Sequence, residues 1–258
     1  MGVGVISSGW KYAAASVVGT AHRKCTDGVC QDAHALGYIE RLSAFVGVVS
    51  DGAGSASQAQ RGSRFACDFV LERIAEASPA IVLTKALADI TLDELRDKLR
   101  SLADNEGFRI RDFACTLLVA IIYSDRSVFW QMGDGAIVFR ERGEDRFKYA
   151  FWPEKGDYAN VTYFVTDEDA KDQLDFDVTE GEIVELGMFS DGLERLALDF
   201  AAGEAHTGFF AGLFPYMRNL PEGRCDELSS QIASFLDSDR VNRRTDDDKT
   251  LILASRVP

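Results

Sequence analysis

Three apolar runs in this chain stop on aspartate followed by glycine, and this recurrence constrains the fold more than any other feature. Residues 45–50 lead into Asp51-Gly52, residues 183–190 lead into Asp191-Gly192, and residues 128–132 lead into Gly133-Asp134-Gly135. Near the C-terminus the order reverses, with Asp246-Asp247-Asp248-Lys249 running straight into Thr250-Leu251-Ile252-Leu253. Gln31-Asp32 likewise precedes a short strand. Asp-Gly taken alone is turn chemistry. A turn needs no long apolar run before it, however, and three adjacent aspartates repel one another unless solvated or bridged by cations. Carboxylates at strand ends can converge on one edge of a sheet pair, where hard divalent cations relieve their repulsion through oxygen ligands. A glycine after Asp51 lets its backbone carbonyl approach such an ion closely. Two cations about 4 Å apart that share a carboxylate can lower the pKa of a bridging water, which then attacks a phosphate ester in line. No protein nucleophile is required.

Composition agrees with an oxygen-rich site. The 258 residues carry 28 Lys and Arg against 42 Asp and Glu, a net charge of −14, which disfavours nucleic acid and anionic membrane surfaces as partners. Apolar residues make up 46% of the chain, enough for a sizeable core and too many for a disordered chain. The longest apolar run, residues 117–123, is strand-sized and far short of a membrane span. Residues 1–10 lack the basic region and long apolar core of a signal peptide. Five cysteines without a Cys-x-x-Cys pair argue for a reducing, cytoplasmic setting, and three histidines make a zinc site improbable.

The pattern along the chain is strands, then helices, then strands again, without linker or repeat, so one domain over residues 1–258 is expected. Strands are expected at residues 11–18 and 42–49. A helix follows at about 58–77, where Ala59, Gly62, Ala66, Phe69, Val70 and Ile74 share a face, and a second at about 83–102 beyond Pro79. Residues 113–123, 127–132 and 136–140 read as a strand meander, with further strands at 161–165 and 182–189. Helices at 207–217 and 226–236 precede a last strand at 250–254. Grouping of like with like indicates an α+β fold.

The ordered motifs Gln31-Asp32-Ala33, Val48-Val49-Ser50-Asp51-Gly52-Ala53-Gly54, Cys115-Thr116-Leu117-Leu118-Val119-Ala120, Met132-Gly133-Asp134-Gly135, Phe189-Ser190-Asp191-Gly192-Leu193 and Asp247-Asp248-Lys249-Thr250-Leu251 resemble those of the metal-dependent Ser/Thr protein phosphatases of type 2C, in particular the compact bacterial members. The resemblance runs from about Gly19 to the C-terminus. It implies an α-β-β-α sandwich of four layers, with two central antiparallel sheets and a metal site at one end. It also implies hydrolysis of phosphoserine and phosphothreonine with two Mg²⁺ or Mn²⁺ ions and a weaker third. By the family pattern Asp51 bridges both metals, the Gly52 carbonyl serves the second, and Asp191 and Asp247 hold the first. Asp246 and Asp248 are the alternative registers for Asp247. Asp32 binds metal-held water, and Asp134 joins Asp191 at the third site. The implied partner is a phosphorylated protein, with a Ser/Thr kinase plausible by analogy.

The chain departs from the family at several points. A basic residue that grips substrate phosphate precedes the first acidic motif in many relatives; His22 and Arg23 are the candidates here, and Arg23 is favoured for its planar fork. Ala53-Gly54-Ser55 lacks the histidine that follows the second motif in some relatives, so another group must protonate the leaving alcohol. Residues 154–177 form an acidic insertion where relatives carry a flap. These departures keep a rival open: a weakly active or inactive phosphatase-like domain that binds a phosphorylated partner or regulates a kinase. Other signatures are weaker. Cys67 and Arg73 match Cys-x5-Arg but lie mid-helix with no glycine cradle, residues 52–57 lack the third glycine of a dinucleotide loop, and residues 167–177 lack an EF-hand glycine. His34, within an expected strand, reads as structural.

Overall fold

A computed structural model describes residues 9–25, 28–153 and 162–256. The strands in chain order are β1 (Trp10–Val17), β2 (Ala33–Ile39), β3 (Ala44–Ser50), β4 (Leu117–Ile122), β5 (Arg126–Met132), β6 (Ala136–Glu141), β7 (Lys148–Tyr149), β8 (Asp175–Glu180), β9 (Ile183–Phe189), β10 (Leu198–Asp199), β11 (Glu204–Ala205), β12 (Gly223–Arg224) and β13 (Lys249–Arg256). The helices are α1 (His22–Cys25), α2 (Ala59–Glu76), α3 (Pro79–Val82), α4 (Lys85–Glu106), α5 (Glu194–Ala197), α6 (Thr207–Arg218), α7 (Asp226–Leu236) and α8 (Asp239–Asn242).

One sheet runs β2-β3-β4-β5-β8 and the other β12-β1-β13-β9-β6-β7. Neighbours pair antiparallel except for the two-residue parallel contact of β1 with β12. Every residue of β3, β4 and β9 is buried, because each of these strands is covered on both faces. Side chains alternate between faces. Phe45 and Val49 enter the core between the sheets with Trp10, Phe129, Met188 and Ile252. Val46 and Val48 point the other way, under α2 and α4. On the second sheet Leu251 and Leu253 lie under α6 and α7. The result is the four-layer α-β-β-α sandwich that the motifs imply. Among the described residues no helix is long and apolar enough to cross a membrane.

The helix expected at 58–77 forms over Ala59–Glu76, with Gln58 and Ala77 as its caps. The second helix starts two residues later than expected and runs one turn longer, to Glu106. Two strand expectations need correction. Residues 162–164 form no strand, and Val161 lies outside the described residues. The end of the acidic insertion, from Asp175, is not irregular but begins edge strand β8, Asp175–Glu180. It carries few apolar side chains because it borders solvent, so apolar patterning could not reveal it. Residues 154–161 of the acidic insertion also lie outside the described residues. Cys67 is fully buried in α2 and burial pushes its thiol well above the ordinary value, so the Cys-x5-Arg match carries no thiolate chemistry.

Register puts all the strand-end aspartates at one pole. Ala33 pairs with Ser50, which sets Asp32 beside Asp51. Leu117 pairs with Met132, aligning the entry to β4 with the exit of β5 before Asp134. Phe189 pairs with both Ala136 and Leu251, so Asp134, Asp191 and the 246–248 run flank one strand end. The chain then crosses from β1 to β2 over this pole, carrying α1 with it.

Candidate active site

A cavity of about 190 Å³ opens at that pole, lined by His22, Asp51, Gly52, Asp134, Asp191 and Asp247 among others. The turn after β3 is clamped to the entry of β4. The Thr116 hydroxyl accepts from the Asp51 N–H at 2.9 Å, the Asp51 carbonyl accepts from the Thr116 N–H at 2.8 Å, and the Ser50 hydroxyl donates to the Thr116 carbonyl at 2.6 Å. Gly52 follows in an isolated bridge with Cys115. A Cβ on Gly52 would fall 2.7 Å from the Ala59 carbonyl oxygen, so no other residue fits without moving the start of α2.

Asp32 is 6% exposed and accepts from the Ser190 hydroxyl at 2.6 Å. Ser190 in turn accepts from the Thr250 N–H at 3.0 Å, which ties the ends of β9 and β13 to β2. Asp51 stands beside Asp32 and Asp191, close enough that the charge of each acts on it. Burial pushes Asp51 well above the ordinary carboxylate range, and the charges of Asp32 and Asp191 add to the effect. Burial also raises Asp32 to about 7 against the Ser190 hydrogen bond, with the Asp248 charge adding. Asp191 rises to about 6, chiefly through burial and then through the charge of Asp134. Asp247 rises through burial. Asp134, across the cavity, accepts from the Thr162 hydroxyl at 2.7 Å.

The three adjacent aspartates separate cleanly. Asp246 is exposed, and its carbonyl accepts from the Ala21 N–H. Asp247 lines the cavity. Asp248 is 1% exposed and turns inward, where its carboxylate accepts from the N–H groups of Gly19 and Gln31, each at 2.6 Å. Its carbonyl presses against Gly192, where a Cβ would sit 2.0 Å away. The same carboxylate lies 2.9 Å from His22 Nδ1. That contact turns Nε2 toward the cavity, 3.9 Å from where a side chain on Gly54 would begin. Burial opposes a positive imidazole, but the bond to Asp248 and the charges of Asp248, Asp247 and Asp32 outweigh it and raise the His22 pKa. Arg23, the residue favoured from sequence for gripping phosphate, is instead paired with Asp237 and the Val18 carbonyl, outside the cavity. His34 is engaged with the Ser16 hydroxyl at 2.8 Å.

The donor set suits hard divalent cations. It is all oxygen, and Asp32 Oδ1 and Asp191 Oδ1 are buried without hydrogen-bond partners among the described residues. Among the described residues no three or more Asp, Glu, His or Cys side chains stand as a finished cage. Burial and the neighbouring charges raise these carboxyls together, and a cation among them can neutralise their repulsion.

A family model described as protein phosphatase 2C matches residues 18–237. The serine/threonine-protein phosphatase 3 of Escherichia coli K12 is 34% identical over 250 residues, 95% of this chain and 98% of that protein. The fold matches that of the serine/threonine phosphatase Stp1 from Staphylococcus aureus with a TM-score of 0.64 at 15% identity, covering 99% of this chain and 97% of that one. It matches the catalytic domain of the phosphatase PstP in complex with two manganese ions equally well, with a TM-score of 0.64 at 15% identity over 96% and 99% of the two chains. With the motifs, the sandwich and the matched 220-residue span in agreement, this chain belongs to the protein phosphatase 2C family and is a phosphoprotein phosphatase. The family match stops short of Asp247, yet the fold returns that residue to the cavity.

The raised carboxyls set the pH dependence of stability. Asp32 and Asp191 titrate near 7 and 6 in the fold, against 3.8 ordinarily. Between those values the fold keeps protons that the unfolded chain has released, so their contribution is complete below about pH 4 and is lost as pH rises through 6–7. Thermal unfolding of chelator-treated protein should show Tm falling by roughly 5 °C or more from pH 5 to pH 8, with Mn²⁺ abolishing the fall. A flat profile in chelator would show that the carboxyls are not packed against one another.

Proposed function

We propose that this chain hydrolyses phosphoserine and phosphothreonine esters of proteins at the polar cavity, with Mg²⁺ or Mn²⁺ as cofactor. The observation that carries the reading is the convergence of Asp51, Asp191, Asp247 and Asp134 on one cavity with Asp32 directly behind. Asp51 would bridge two ions, with the Gly52 carbonyl serving one and Asp191 and Asp247 the other. Asp32 lies close enough to Asp51 to steady bound water, and Asp134 with Asp191 offers a weaker third position. Bound there, the cations supply an activated water at neutral pH and offset the charge of the phosphoryl group.

The protein's own groups do the rest. The Thr116 clamp fixes the backbone that presents Asp51 and Gly52. Ser190 holds Asp32 through one oxygen and leaves the other free. His22, the other candidate beside Arg23 for gripping phosphate, is assigned the protonation of the leaving alcohol, a role that the sequence left open. Asp248 accepts from Nδ1 and favours the doubly protonated ring, in which Nε2 carries a proton into the cavity that can pass to the departing alcohol oxygen. The partner is then a phosphorylated protein, a Ser/Thr kinase being one such substrate, in a reducing cytoplasmic setting. A binding-only domain draws no support from a cavity whose acidic set is complete.

Activity on a phosphopeptide should depend on Mn²⁺ or Mg²⁺ and vanish in EDTA. Asp191→Asn should lose about 10²-fold or more in kcat with its far-UV CD spectrum unchanged; turnover surviving EDTA would reject the metal chemistry. His22→Ala should lose about 10²-fold in kcat/KM on a phosphoserine peptide. The same variant should lose far less on p-nitrophenyl phosphate, whose leaving group needs no proton. Equal losses on both substrates would remove His22 from the proton-transfer role.

A further inference from the structure

The opposite pole of the sandwich holds a cluster of arginines. A second cavity of about 160 Å³ lies there, lined by Arg140, Arg142, Glu185, Arg218, Ser255 and Arg256 among others. Strand register builds it. On the sheet face that packs α6 and α7, Lys11 of β1 pairs with Ser255 of β13, Ser255 with Glu185 of β9, and Glu185 with Arg140 of β6. This polar row crosses four strands on a face that is otherwise apolar. The last turn of α6 closes over it, with Lys11 Nζ donating to the Arg218 carbonyl.

The charges in this cavity do not balance. Glu185 is 2% exposed and accepts from Arg140 Nε at 2.7 Å and from Arg218 Nη2 at 3.0 Å. Glu182 accepts from Arg142 Nη2 at 2.8 Å and lies 3.6 Å from Arg256 Nη1. Four guanidinium groups thus face two carboxylates, in a chain whose net charge is −14. The forks are also incompletely used. Arg140 spends Nε and Nη1, while Arg142 and Arg218 each spend Nε and Nη2. Their remaining Nη groups meet no acceptor among the described residues. Ser255 is 2% exposed and lines the cavity beside them. Surplus cationic donors gathered on one cavity can be answered by an acceptor from outside. Arginine forks match the oxygens of a phosphoryl group.

We propose that this pole is a binding site for a tetrahedral oxyanion, either inorganic phosphate or the phosphoryl end of a small phosphomonoester. Arg140, Arg142 and Arg218 would supply the donors, and the Ser255 hydroxyl the floor. The site is separate from the catalytic cavity and independent of the reading given for it.

Thermal unfolding of the full chain in chelator tests this, comparing inorganic phosphate with chloride at equal ionic strength. Phosphate at ten times its dissociation constant should raise Tm by roughly 3–6 °C. The rise should persist in Asp191→Asn, because the ion does not sit among the aspartates. It should disappear in Arg142→Gln, whose arginine is half exposed and dispensable for folding. It should also disappear in Ser255→Asp, which itself should raise Tm in chloride by placing a carboxylate among the arginines. An equal rise with O-phosphoserine assigns the phosphoryl end of an ester, and a rise with phosphate alone assigns the free ion. No rise beyond chloride overturns the site. So does a rise that survives both Arg142→Gln and Ser255→Asp, or one that is lost in Asp191→Asn.

Discussion

Mutual repulsion among buried carboxylates is the constraint on which the rest of this structure depends. Asp32, Asp51 and Asp191 are brought together by strand register, and in water they would separate. Asp51 and Asp191 cannot move apart here, because each follows a fully buried strand and moving it would drag Val49 or Phe189 out of the core, while Asp32 is buried beside them and bonded to Ser190. A one-residue slip would invert every side chain of the strand. The core between the sheets, with Trp10 and Phe45 5.2 Å apart at ring centres, therefore holds the site together against its own charge. The fold supplies the strain, and a proton or a cation relieves it.

The same register that gathers acids at one pole gathers arginines at the other. Phe189, Ala136 and Lys249 mark the acidic end of β9, β6 and β13, while Ile183, Glu141 and Arg256 mark the far end. The sandwich is thus polarised along its strands.

Much of this was legible in the sequence, for identifiable reasons. The helix at Ala59–Glu76 announced itself by apolar spacing, and Asp51, Asp134 and Asp191 by the apolar runs before them. Asp247 could be separated from its neighbours only through the family pattern; in the structure the distinction rests on Asp248 turning inward to Gly19, Gln31 and His22. His22 was overshadowed by Arg23 because its position depends on a carboxylate 226 residues away, and no local pattern reports such a contact. Edge strand β8 was missed because its polar composition reads as loop. The arginine pole is drawn from β6, α6 and β13, so no single segment displays it.

Where divalent ions settle decides the chemistry of this pole. Crystals grown with Mn²⁺ and measured at the manganese absorption edge give the most direct test. Two strong anomalous peaks among Asp51, Asp191 and Asp247 are the predicted result. Manganese-soaked crystals with those three aspartates bare, or with the ions bound elsewhere on the molecule, would contradict it.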